Sequence, residues 1–194
     1  MEKLNEFLEI LNIEKEISLD DIPDLDLYMD QVIQLFEKKF NNAKRNDDEK
    51  VLTKTMINNY AKANLLFPIK NKKYTKEHLI LLSLIYQLKG SLSINDIKFT
   101  LQGLNKRITA EDFDFYSFYS AYEKLVFRNV ENFKTDIEEH ILAANNELTK
   151  IEVNKQDRND LERVLLISSL ASLSNLYKRA AEKLVDKIIE QEKE

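Results

Sequence analysis

Cysteine is absent from the chain, which excludes disulfides, thiolate metal centres and thiol redox switching. Glycine and proline occur only twice each among abundant Leu, Ile, Lys and Glu, so a nearly all-helical chain is expected. There are two histidines, no Gly-rich phosphate loop and no Gly-x-Ser-x-Gly elbow. No constellation for catalysis stands out, and no catalytic residue, cofactor or metal is expected. The longest apolar run, Leu79 to Tyr86 interrupted by Ser83, is too short to cross a bilayer. The first residues, Met-Glu-Lys-Leu-Asn-Glu, lack the basic start and apolar core of a signal peptide. A cytoplasmic protein with no membrane partner is expected.

Charge is distributed unevenly. Net charge is −5 over 194 residues, yet Lys38 to Arg107 carries 15 basic and 5 acidic residues. The rest of the chain holds 14 basic and 29 acidic residues. A basic module with acidic flanks suits a nucleic-acid-binding unit attached to a separate regulatory part. Chance segregation in a Lys/Glu-rich helical chain gives the same numbers.

Within the basic module, Leu52-Thr-Lys-Thr-Met-Ile-Asn-Asn-Tyr60 reads as a helix capped by Thr53. Met56, Ile57, Tyr60 and Ala61 form its apolar stripe. Lys54, Thr55, Asn58, Asn59 and Lys62 fall largely on the other face, hydrogen-bonding groups flanked by cations. Asn64 can cap the helix in the left-handed conformation, and Pro68 cannot continue it. A basic ribbon follows, with Lys70, Lys72, Lys73 and Tyr74. A helix that enters the major groove beside a ribbon that holds phosphates is one reading. An ordinary surface helix followed by a Lys-rich loop is the other.

This stretch resembles the DNA-binding domain of the MerR regulators. Leu52-Thr53 stands at their Val-Ser, Ile57 at the helix isoleucine, and Tyr60 at the second tyrosine. Leu65, Leu66 and Pro68 stand at the Leu-Leu-x-Pro exit, and Lys70, Lys72 and Tyr74 at wing positions. Leu92-Ser-Ile-Asn-Asp-Ile-Lys98 resembles the family's Ser-Leu-x-x-Ile-Lys. Asn58, Asn59 and Asn64 replace the arginine, first tyrosine and glycine of that pattern, so base-contact rules do not transfer. Ile22-Pro-Asp-Leu-Asp-Leu-Tyr-Met-Asp-Gln-Val32, taken with the Leu52–Tyr60 stretch, is similar to the YkrK-like proteins of low-GC Gram-positive bacteria. That family has no assigned function.

Elsewhere, Leu4, Phe7, Leu8 and Leu11 space as an amphipathic helix over 2–13. Residues 17–26, with Asp20, Asp21, Asp24 and Asp26, read as a solvated acidic loop without EF-hand spacing. A helix from Leu27 to about Asn41 is expected to bury Tyr28, Val32, Leu35, Phe36 and Phe40. In the polar loop that follows, Lys44 and Arg45 are phosphate contacts or plain surface charges. Thr75 caps a helix to about Lys89 that is apolar nearly all round, with His78 a surface or capping residue. Ser91 or Ser93 caps the next helix, which Gly103 is expected to close, and Thr109-Ala-Glu-Asp112 is expected to start another. That helix is dense in aromatics from Phe113 to Phe127, and Glu138, Glu139 and His140 lack zinc spacing. The last helix, about Asp157 to Gln191, carries a seam of Leu166, Leu170, Leu173, Tyr177, Ala180 and Leu184. A second stripe includes Leu161, Val164, Leu165 and Ile167.

The expectation is an all-α protein in three parts: an N-terminal helix and loop, 1–21; a MerR-like winged helix-turn-helix, 22–108; and a helical dimerisation and regulatory domain, 109–194. Its partners would be double-stranded DNA, a second copy of the chain, and a small-molecule effector among the C-terminal aromatics. An adaptor that keeps the fold without binding DNA is the alternative.

Overall fold

In the computed structural model, eight consecutive side chains of one helix, His78 to Ile85, are buried. A helix surrounded on all sides needs such a run, because polar residues on any face would be left dry. The structure describes residues 8, 11, 17–152 and 154–192, with backbone alone at Lys155. Among them are six α-helices: α1 (Met29–Phe40), α2 (Lys54–Lys62), α3 (Lys76–Leu88), α4 (Ile94–Ala110), α5 (Phe115–Thr149) and α6 (Lys155–Gln191). Two short strands, β1 (Leu27–Tyr28) and β2 (Lys73–Tyr74), pair antiparallel with Leu27 opposite Tyr74. The protein is mostly helical, as expected. No helix among the described residues is long and apolar enough to cross a membrane.

Around α3 pack Val32, Phe36 and Phe40 of α1, Ile57 and Tyr60 of α2, and Ile97 and Leu101 of α4. Residues 17–27 lie across this core as a strap rather than a solvated loop. Ile17, Ile22 and Leu27 are buried, and Ser18 and Asp21 close a capping box on a 3-10 turn. Phe115 and Tyr119 of α5 complete the core. The Tyr119 hydroxyl donates to the Ile17 carbonyl at 2.6 Å and lies 3.1 Å from Ser83 Oγ. The core therefore crosses the 108/109 boundary expected from sequence.

Beyond Tyr122 the architecture thins. α5 and α6 form a long hairpin, joined by residues 150–154, with Ile137, Ala144 and Leu148 buried on α5 and Val185 on α6. The end of α6 also reaches α4, where Gln102 Nε2 donates to Glu192 at 2.8 Å.

Several local expectations change. Tyr28 is 55% exposed, not buried. Pairing with β2 makes residues 27–28 extended, and strand alternation turns Leu27 in and Tyr28 out. Gly103 does not end α4, which runs on to Ala110, because no glycine here adopts a positive φ. Leu104 and Ile108 keep the helix on the core, and Glu111 at φ 57° provides the stop. Thr109 caps nothing; its hydroxyl donates back to the Asn105 carbonyl at 2.9 Å. The next helix starts at Asp114, which accepts the Ser117 N–H at 3.0 Å. In α6 the seam holds at Leu166, Leu170 and Leu173, which are half-buried. Tyr177 and Leu184 are exposed, and the buried position moves to Val185. The helix expected over 2–13 lies outside the described residues except for Leu8 and Leu11, both helical.

Candidate nucleic-acid interface

Helical periodicity sorts α2 into two faces. Ile57 and Tyr60 point into the core at 0% and 5% exposure. Lys54, Thr55, Asn58, Asn59 and Lys62 are exposed on the opposite side. The Thr53 hydroxyl accepts the Met56 N–H at 3.1 Å, so that oxygen fixes the helix start. At the far end Asn64 adopts φ 59°. The Leu65 N–H reaches the Tyr60 carbonyl at 2.9 Å and the Asn64 N–H reaches Ala61 at 3.1 Å. This is a Schellman ending with asparagine in the left-handed place, as its sequence position suggests.

The basic ribbon is a tight turn. Lys73 N–H donates to the Lys70 carbonyl at 3.0 Å, while Asn71 and Lys72 take φ 52° and 58°. Two left-handed residues in a row give the I′ geometry that matches strand twist. Asparagine accepts that conformation readily, whereas a lysine there costs about 1–2 kcal/mol. Lys70, Asn71 and Lys72 are exposed on the turn. Lys73 is half-buried, its ammonium 5.5 Å from the centre of the Tyr28 ring. Tyr60 and Tyr74, the one in the expected apolar stripe and the other in the basic ribbon, lie beneath the face at 5% and 3% exposure. Burial raises both phenol pKa values.

Ion pairs decide which cations remain available. Lys39 meets Asp21 at 2.6 Å and Lys76 meets Asp24 at 2.8 Å, both acids of the strap. Lys44 is held by Glu37 at 2.7 Å and by Asn41 at 2.9 Å. Lys54 pairs with Asp30 at 2.8 Å with both side chains well exposed, a pair that contributes little. Arg45 is exposed, its backbone N–H donating to Glu49 at 2.8 Å. Among the described residues no ion pair engages Lys62, Lys70 or Lys72. Uncompensated positive charge thus stands at the exit of α2 and on the turn that follows it in the chain.

Two residues that sequence reading undervalued hold this surface in place. Lys89 Nζ donates to the Val51 carbonyl at 3.0 Å and stacks 4.2 Å over Tyr86, tying the approach to α2 onto α3. Burial lowers its pKa. His78 is a capping residue, as one reading had it, and it is 1% exposed rather than on the surface. Its Nδ1 accepts the Thr75 N–H at 3.1 Å, which leaves Nε2–H to donate to the Phe67 carbonyl at 3.2 Å. Phe67 stacks on the ring at 3.7 Å. Burial pushes the imidazole pKa down, against the Phe67 carbonyl and the charges of Glu77 and Asp26. The signal was legible: histidine stands three residues after Thr75, in capping-box spacing.

The same cap reaches the long hairpin. Glu77 accepts hydrogen bonds from Thr75 Oγ1 at 2.6 Å and from the Tyr116 hydroxyl of α5. Against burial, which raises it, these bonds hold the Glu77 pKa below its ordinary value. A cavity of about 350 Å³ lies between α5 and α6, with Asn132, Asp136, His140 and Tyr177 among apolar walls. No cluster of three or more metal-ligating side chains occurs among the described residues.

Residues 17–125, more than half the chain, match the family model described as "Domain of unknown function (DUF1836)", and the chain belongs to that family. Among the described residues, the matched segment begins at the first buried residue of the core, Ile17, and ends just beyond its last, Tyr119. No curated protein and no solved structure matches the chain.

Proposed function

We propose that this protein is a DNA-binding transcriptional regulator of MerR-like type. In this reading α1 and α2 form the helix-turn-helix, with α2 in the major groove and the Lys70–Lys73 turn as the wing on phosphates. The observation that carries it is the exposed Thr55, Asn58, Asn59 and Lys62 face beside Lys70 and Lys72, none of these lysines neutralised among the described residues. Asparagine pairs bidentately with adenine, and the lysines serve as phosphate contacts. Lys54 is paired with Asp30, Lys73 is half-buried, and Lys44 is committed to Glu37, while Arg45 is exposed on the loop before α2. Thr53, Tyr60 and Tyr74 act by fixing the helix and turn. The resemblances to MerR and YkrK-like sequences add to this reading.

Two-fold readers need a second copy, and the hairpin supplies a surface for one. Leu161, Val164, Leu165 and Ile167 of α6 are 38–66% exposed, a contiguous apolar stripe of the kind that marks interfaces. We assign this stripe to a homodimer. The runner-up is an adaptor without DNA binding, favoured by Asp30, which pairs with Lys54 on the recognition face.

Selection of duplexes from a random pool, followed by binding of variants, tests the assignment. Replacing Lys62, Lys70 and Lys72 by Gln should weaken all sequences alike and lower the salt slope by about one per lysine. Asn58→Ala should instead relax preference at one base position. Recovery of no preferred sequence, with identical salt slopes in all variants, contradicts the reading and leaves the adaptor.

A further inference from the structure

We propose that the groove between α3, α4 and the first turns of α5 binds a single-chain alkyl carboxylate, with Arg107 on the carboxylate. The groove is about 590 Å³, within the range of small-molecule sites. Leu88 of α3, Leu104 of α4, and Phe113, Phe118 and Tyr122 on the α5 side make its walls largely apolar. Arg107 is the single charged residue among the described residues that line it. No ion pair engages Arg107 among the described residues, and its guanidinium lies 6.0 Å over the Phe113 ring. That stacking holds the planar fork at the edge of the apolar wall, where a carboxylate can take two of its N–H groups. One cation matches one negative charge, which favours a monoanion over a phosphate ester.

Gly103 adds an independent observation. Glycine inside a helix costs about 1 kcal/mol relative to alanine, and there are only two glycines in the chain. A Cβ at Gly103 would meet nothing within 4 Å, so no close packing requires the glycine. It does line the groove, and its missing side chain leaves room beside Leu104 and Arg107. A helix-weakening residue that serves no turn and no contact is accounted for by the space it leaves to a ligand.

All of these residues lie within the segment matched by the family, and the ligand is measured without DNA, so either proposal stands if the other fails. Calorimetric titration of the full chain with decanoate, decanol and decyltrimethylammonium, each below its micelle concentration, separates charge from apolar adsorption. Decanoate should bind about ten-fold or more tightly than decanol, and the cation more weakly still. Arg107→Gln should abolish the preference of acid over alcohol. Gly103→Leu should remove binding of both while leaving thermal stability equal or higher, since leucine is the better helix former. Equal binding of all three amphiphiles, unchanged binding in Gly103→Leu, or no heat with decanoate would each overturn the proposal.

Discussion

Helices α3 and α6 are both rich in leucine and isoleucine, and the molecule uses them in opposite ways. Eight of the 13 residues of α3 are buried. Of the 37 in α6, Val185 alone falls among the buried residues described. α3 is covered by α1, α2, α4, the strap and the start of α5, so most of its apolar surface is consumed within the chain. Among the described residues α6 packs on α5 and α4, and the stripe from Leu161 to Ile167 faces solvent. The compact unit therefore spends most of its hydrophobic residues on fold, the groove at Leu88 and Leu104 aside, whereas the hairpin leaves part of its apolar surface exposed.

Truncation in the core should have the largest effect. Ile57→Ala should cost about 2–5 kcal/mol in denaturant unfolding, because a fully buried side chain leaves a cavity. The same truncation at Ile167 should change the stability of dilute protein by about 0.5 kcal/mol or less. Similar losses at both sites would mean that the hairpin face is internally covered. Tyr119→Phe comes next, at about 1–3 kcal/mol, since the buried Ile17 carbonyl loses its donor.

Introducing charge on the exposed stripe sharpens the contrast from the other side. Val164→Glu with Ile167→Glu should raise the dimer dissociation constant about ten-fold or more in sedimentation equilibrium, with helicity by circular dichroism unchanged. A wild-type chain that stays monomeric at the highest soluble concentration would remove the second half of the comparison.

His78 gives the compact unit a pH dependence of its own. Its folded pKa lies below the ordinary 6.5 because of burial. Above 6.5 the ring is neutral in both states and its hydrogen bonds stabilise fully. As pH falls below 6.5 the unfolded chain gains the proton first, so stability declines through that window until the folded pKa is reached. His78→Asn should lose this component, giving a shallower fall than wild type between neutral pH and the acid limb; parallel curves would contradict the linkage.

The smallest effect separates stability from binding on the turn. Lys72→Gly should stabilise the fold by up to about 1 kcal/mol, because glycine adopts the left-handed φ freely. On the proposed reading it should also weaken DNA. A gain in stability with unchanged affinity would remove Lys72 from the interface.

What the sequence revealed divides along the same line. The α2 faces, the Asn64 ending and the all-round burial of α3 follow from spacing and local stereochemistry, and they were legible. Tyr28 was not, because its exposure depends on pairing with β2, 45 residues away from it at Lys73. Gly103 misled because a glycine ends a helix only when nothing beyond it packs, and Leu104 and Ile108 do. The pairing of Lys39 and Lys76 with strap acids was hidden for the same reason. These partners are distant in sequence, and only the fold shows which cations of the basic module remain unpaired among the described residues.

Sequence-specific DNA binding is tested by fluorescence anisotropy of the full chain with labelled duplex from its own upstream region, beside a scrambled duplex, at low and physiological salt. Binding at least about ten-fold tighter to the native duplex, with a steep salt slope, is the predicted result. No binding to either duplex at low salt would contradict it.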